Sequence, residues 1–122
     1  MTLFENAKPI YQQIADRICD QITGGSFSPG QRMPSVREYA AQLQVNSNTV
    51  MRTYDFLAAN NIIFNRRGIG FFVSEDATEQ VNALRARTFF SDEITYFFSR
   101  LRSIGITPEK LACDYSSYLN NN

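Results

Sequence analysis

Isoleucine recurs every four positions at Ile10, Ile14, Ile18 and Ile22, with Tyr11 and Ala15 beside it, which predicts an amphipathic helix from Pro9 to Thr23. Proline suits the first turn of such a helix, and Gly24-Gly25 closes it. Ser28-Pro29-Gly30 is a turn signal leading to Ser35, which caps a short second helix with Val36, Tyr39, Ala40 and Leu43 on one face and an end at Gln44. Val45-Asn46-Ser47 reads as a short turn and cap before a third helix, about Ser47 to Asn60, whose inner face is Val50, Tyr54 and Leu57. Asn60-Asn61 stops it, because asparagine tolerates the left-handed conformation.

Two β-prone runs follow, Ile62 to Asn65 and Gly70 to Val73, joined by Arg66-Arg67-Gly68-Ile69 into a hairpin with a basic tip. Helix, helix, turn, helix, hairpin is the order of a winged helix-turn-helix. Beyond Ser74 the period is helical again. Phe90, Ile94, Phe97, Leu101 and Ile104 follow a 4-3-4-3 spacing, the seam of a long helix from about Asp76 to Ser103 that packs along another helix. Gly105 closes it, Thr107-Pro108 starts a last helix bearing Leu111, Tyr115 and Tyr118, and the asparagines from Asn120 are expected to fray. The fold class is therefore mainly α with a small β-wing. Residues 1–74 form a winged helix-turn-helix, residues 75–122 form a two-helix dimerisation region, and the junction falls near Ser74 to Thr78.

Composition narrows the chemistry. The 122 residues hold 12 basic and 12 acidic side chains, so any affinity for nucleic acid must come from local charge. Between Gly30 and Gly70 five arginines, Arg32, Arg37, Arg52, Arg66 and Arg67, face only Glu38 and Asp55, whereas from Asp76 onward acids slightly outnumber bases. Cys19 and Cys113 are far apart in sequence and there is no histidine, so no metal site or cofactor is implied and two free thiols are expected. With no nucleophile elbow, phosphate loop or metal cluster, an enzyme reading is set aside. Residues Met1 to Asn6 lack a basic region followed by an apolar stretch, and no segment approaches the ~20 apolar residues of a membrane span, which reads as a soluble cytoplasmic protein.

In a helix-turn-helix the start of the recognition helix enters the major groove. Asn48 there can pair with adenine, Ser47 or Thr49 can bond phosphate or touch a thymine methyl, and Arg52 one turn later can reach the backbone. The alternative for Asn46 and Ser47 is helix capping alone. Arg37 sits in the first turn of the second helix, where the helix dipole disfavours a cation, so a phosphate partner would offset that cost, the alternative being a surface ion pair. Arg66, Arg67 and Gly68 at the wing tip fit phosphate or groove contact, the alternative being a solvated hairpin. Lys8 and Arg32 divide evenly between the two readings.

The aromatics after Ser74 exceed what two helices of one chain bury between themselves, so a homodimer is expected, with Phe90, Ile94, Phe97, Leu101, Tyr115 and Tyr118 at its seam. A pocket for an unidentified small-molecule effector at that seam is the weaker reading, since an aromatic stripe at helical spacing is usually core. The partners expected are double-stranded operator DNA and a second copy of the chain, with no membrane. A winged helix used only for protein interaction is the alternative function.

Three runs, Met33 to Glu38, Val45 to Tyr54 and Arg67 to Val73, resemble the GntR family of bacterial regulators, and the short carboxy-terminal region resembles its YtrA subfamily. The resemblance spans nearly the whole chain. It implies a winged helix followed by two dimerising helices, with Arg37, Ser47, Asn48, Thr49 and Arg52 at or near DNA and Arg67 and Gly68 in a wing that touches the duplex. It also implies repression, as in family members encoded beside membrane transporter genes. Two positions depart from the pattern. Met51 stands where other branches often carry a base-reading arginine, and Asn61 stands where glycine is common.

Overall fold

The isoleucine repeat forms helix α1, Ile10–Thr23, in a computed structural model that describes residues 8–122. The amino-terminal residues read above for a leader lie outside the described residues. Pro9 is the cap of α1 and not its first residue; its carbonyl accepts from the amides of Gln12 and Gln13. Ile14, Ile18 and Ile22 are buried as the repeat predicts, while Ile10 stays exposed. Helix α2, Val36–Leu43, begins with a reciprocal cap. The Ser35 hydroxyl accepts from the Glu38 amide and the Glu38 carboxylate accepts from the Ser35 amide, each at 3.1 Å. Helix α3, Ser47–Ala59, ends at Asn61, whose φ of 60° lets its amide and that of Ile62 close onto the Ala58 and Leu57 carbonyls.

Strands β1, Ile63–Arg66, and β2, Gly70–Val73, pair antiparallel with Ile63 opposite Val73 and Arg66 opposite Gly70. Period-2 alternation turns Ile63, Phe71 and Val73 toward the helices and Phe64, Arg66 and Phe72 outward. Tyr39 and Ala40 of α2, Val50, Tyr54 and Leu57 of α3, and Ile62, Ile63 and Val73 of the hairpin complete the core around α1. No buried side-chain polar atom lacks a partner among the described residues.

Helix α4, Ala77–Thr88, runs directly into a π-helical turn, Phe89–Glu93, and then helix α5, Ile94–Ile104; the last helix, α6, is Pro108–Asn121. The single long helix expected from Asp76 is thus broken in hydrogen-bond pattern, though not by a loop. Ala77 and Val81 are fully buried in the first core, and Arg85 closes the segment with a 2.6 Å ion pair to Asp20. The chain accordingly divides into two compact units between Arg85 and Ala86, beyond the junction expected near Ser74 to Thr78. Burying one valine is worth about 1.5–3 kcal/mol, enough to hold the first turns of α4 to the first unit.

In the second unit Gly105, at φ 78°, ends α5 with the amides of Gly105 and Ile106 on the carbonyls of Arg102 and Leu101. Thr107 caps α6 by accepting from the Lys110 amide at 3.2 Å, with Pro108 in the first turn. α6 runs to Asn121, through the asparagines expected to fray, and the Asn122 side chain donates to the Tyr118 carbonyl. No residue of 86–122 is buried. Ile94, Leu101, Ile106 and Leu111 are half-buried, and the aromatics lie open to solvent.

Candidate nucleic-acid interface

Helix α3 is held from three sides. The Tyr54 hydroxyl donates to the Pro34 carbonyl at 2.7 Å, tying α3 to the approach of α2, and its ring meets Phe71 of the wing edge-on at 5.1 Å. Burial pushes the Tyr54 phenol well above its ordinary range, so it stays a donor. From below, the buried Thr53 hydroxyl lies 3.0 Å from both the Tyr11 and Thr49 carbonyls. Between α2 and α3, Gln44 takes the left-handed conformation at φ 57° and the Val45 amide closes onto the Ala40 carbonyl, which makes the turn tight without a glycine.

This leaves the opposite face of α3 to solvent. Asn46, not Ser47, is the cap: its side-chain oxygen accepts from the Asn48 amide at 2.7 Å. Ser47, Asn48 and Arg52 are exposed and Thr49 is half-buried. At 100° per residue, Asn48, Arg52 and Asp55 share the face directly opposite Val50, Tyr54 and Leu57. The Arg52 guanidinium stands 4.2 Å from the centroid of the Tyr11 ring.

Arg37 is exposed in the first turn of α2. Its neighbour Glu38 is engaged in the Ser35 cap, whose hydrogen bonds hold that carboxyl below the usual carboxylate range. Among the described residues no carboxylate pairs with Arg37, whereas Lys8 is paired with Asp16 at 2.7 Å.

Arg66 belongs to β1 and not to the wing turn. It is opposite Gly70, with its guanidinium 5.2 Å from the Phe72 ring, which in turn stacks on Phe64. The turn itself is Arg67-Gly68-Ile69, all exposed; the Ile69 amide closes onto the Arg66 carbonyl at 2.9 Å, and φ 79° at Gly68 is the geometry that favours glycine.

Residues 10–73 match the bacterial regulatory proteins of the gntR family. The chain belongs to the GntR family. It is 38% identical over 108 residues to the HTH-type transcriptional regulator YhcF of Bacillus subtilis, covering 88% of each chain. It is 39% identical over 72 residues to the HTH-type transcriptional repressor YtrA of the same organism, covering 59% of this chain and 55% of the repressor. Among solved structures, a GntR-family regulator from Bacteroides thetaiotaomicron matches with a TM-score of 0.78 and 42% identity over 93% of this chain and 98% of that one. The DNA-binding domain of AraR, solved in complex with an operator, matches with a TM-score of 0.52 and 27% identity over 54% of this chain and 80% of its own. The protein is thus a DNA-binding transcription regulator with a GntR winged helix.

Two contacts of this GntR domain escape sequence reasoning. Tyr11 underlies Arg52 from 41 positions away, and Arg32 donates from Nη2 to the Ile69 carbonyl in the wing turn at 2.7 Å. Both contacts depend on pairing across the fold, and periodicity carries no sign of either. Among the described residues no helix is long and apolar enough to cross a membrane, and no group of His, Cys, Asp or Glu is placed to hold a metal ion.

Proposed function

We propose that the protein is a homodimeric repressor that grips a roughly palindromic operator, with Asn48 reading bases and Ser47, Thr49, Arg37, Arg52, Arg66, Arg67 and the Gly68 backbone meeting phosphates or groove edges. The observation that carries this reading is the solvent face of α3, where Asn48 and Arg52 are exposed while the arginines of α2 and the wing are exposed too, with only Glu38 and Asp55 as acids between Gly30 and Gly70. The repressor named among the relatives supports the direction of regulation. The open apolar face of residues 86–122 supports the dimer, because two copies would cover what one leaves bare.

Fluorescence anisotropy with duplex from upstream of the protein's own gene, set against random duplex over a salt series, tests the proposal. Preference for the upstream fragment at two chains per site is the expected result. A loss of binding with a log–log slope of about −0.9 per phosphate contact should accompany it. Absence of binding at low salt would instead favour a winged helix used for protein contact.

A further inference from the structure

The segment before α2 is part of the wing. The Gly30 amide donates to the Val73 carbonyl, the Val73 amide to the Gln31 carbonyl and the Met33 amide to the Phe71 carbonyl, each at 2.8 Å, so Arg32 lies directly opposite Phe72 as a third, one-residue strand. From there its side chain crosses the outer face of the hairpin. A Cβ built on Gly70 would sit 3.4 Å from Arg32 Nε and 3.5 Å from Nη2, so the guanidinium passes within van der Waals reach of the bare Gly70. It ends on the Ile69 carbonyl.

The turn it reaches has no buried side chain of its own. Apart from the Ile69 to Arg66 hydrogen bond, it hangs from the terminal Arg66–Gly70 pair of the hairpin, and none of residues 67–69 joins the core. A guanidinium is a rigid, permanently charged fork, suited to fixing a carbonyl while remaining exposed.

We propose that Arg32 is the positioning residue of the wing. By donating to the Ile69 carbonyl across the bare face of Gly70, it holds Arg67-Gly68-Ile69 in one geometry, so that Arg67 meets the duplex already ordered. This rests on the reading in which the wing touches DNA. Arg32 acts through Ile69 and Arg67, not as a phosphate ligand of its own.

The test uses the full chain and the upstream duplex, with Arg32→Met, Arg32→Lys, Arg67→Ala and the Arg32→Met/Arg67→Ala double variant, each followed by backbone ¹⁵N relaxation and by anisotropy over a salt series. Arg32→Met should lower the order parameters at Gly68, Ile69 and Gly70 from about 0.85 toward 0.6. It should also weaken DNA binding by about fivefold, a loss that shrinks below about twofold when Arg67 is already absent. Arg32→Lys, which keeps a donor of similar reach, should restore both readouts. Unchanged order parameters in Arg32→Met would overturn the proposal, as would a fully additive loss with a salt slope lower by about 0.9, the mark of direct phosphate contact. If Arg67→Ala leaves DNA affinity intact, it is the wing's role at DNA that fails, and the relaxation data alone decide whether Arg32 clamps the turn.

Discussion

The Arg52 guanidinium lies 4.2 Å over the Tyr11 ring, joining the solvent face of α3 to the first turn of α1. Tyr11 is itself braced: its ring meets Phe56 edge-on at 5.9 Å and its carbonyl lies 3.0 Å from the Thr53 hydroxyl. A cation over an aromatic face at an exposed site is worth about 0.5–1 kcal/mol, enough to bias where the guanidinium points. Tyr11→Leu keeps apolar bulk against Phe56 but removes the ring. We expect DNA affinity to fall by about two- to fivefold with a lesser effect in Tyr11→Phe, read by anisotropy. Full affinity in Tyr11→Leu would detach this contact from DNA binding.

Adjacent asparagines at the start of α3 should separate stability from recognition. Asn46 caps the helix through the Asn48 amide, so Asn46→Ala should lower unfolding free energy by about 1 kcal/mol in chemical denaturation. The Asn48 side chain takes no part in that cap. Asn48→Ala should leave stability unchanged, cost about 1–3 kcal/mol on the operator and relax base preference at one position per half-site, with random duplex unaffected. Equal losses on both duplexes would remove Asn48 from base readout.

What the sequence discloses here is what local chemistry determines. The Ser35 cap, the stop at Asn61, the glycine turn of the wing and the Thr107-Pro108 restart each depend on a few neighbouring residues, and all are found in place. Asn46 and Ser47 are both good capping residues, so their order of preference is decided by backbone geometry and not by type. Arg66 is drawn from the turn into β1 by strand register. The first core reaches past Ser74 because Ala77 and Val81 find room in it, and a π-helical turn inserts itself within a 4-3-4-3 spacing that continues across it. Arg32 on Ile69 and Tyr11 under Arg52 are products of the tertiary fold and have no local signature.

Alkaline pH should unfold the first unit early. Burial pushes the Cys19 thiol from 9.0 up to about 11, with nearby Arg85 opposing in part, and burial raises the Tyr54 phenol as well. Both groups ionise more readily in the unfolded chain. The stability Cys19 contributes is therefore fully present below about pH 9 and is lost as pH rises toward 11, by up to about 2–3 kcal/mol, while that of Tyr54 is lost only at higher pH. Denaturant midpoints should fall across that window, and Cys19→Ala, though less stable at pH 7, should show a flatter profile. An equally steep profile in Cys19→Ala would place the titration elsewhere.

In the proposed dimer the second unit supplies the seam. Its helices carry Phe90 at 67% exposure, Phe97 at 45% and Tyr115 at 61%, while Ile94 and Leu101 on the same seam are only half-covered. Large apolar side chains left open in this number fit the proposed partner, a second copy offering the same face. Phe97→Glu changes an exposed side chain, so the first unit should keep its thermal transition while sedimentation shifts from dimer to monomer at micromolar concentration. Operator affinity should fall by roughly 100-fold or more, since each half-site must then be bound without the effective concentration the partner supplies. Should the variant remain dimeric, the seam lies elsewhere; should it become monomeric and still bind the operator as tightly, a single winged helix would be the functional unit and the palindrome would be unnecessary.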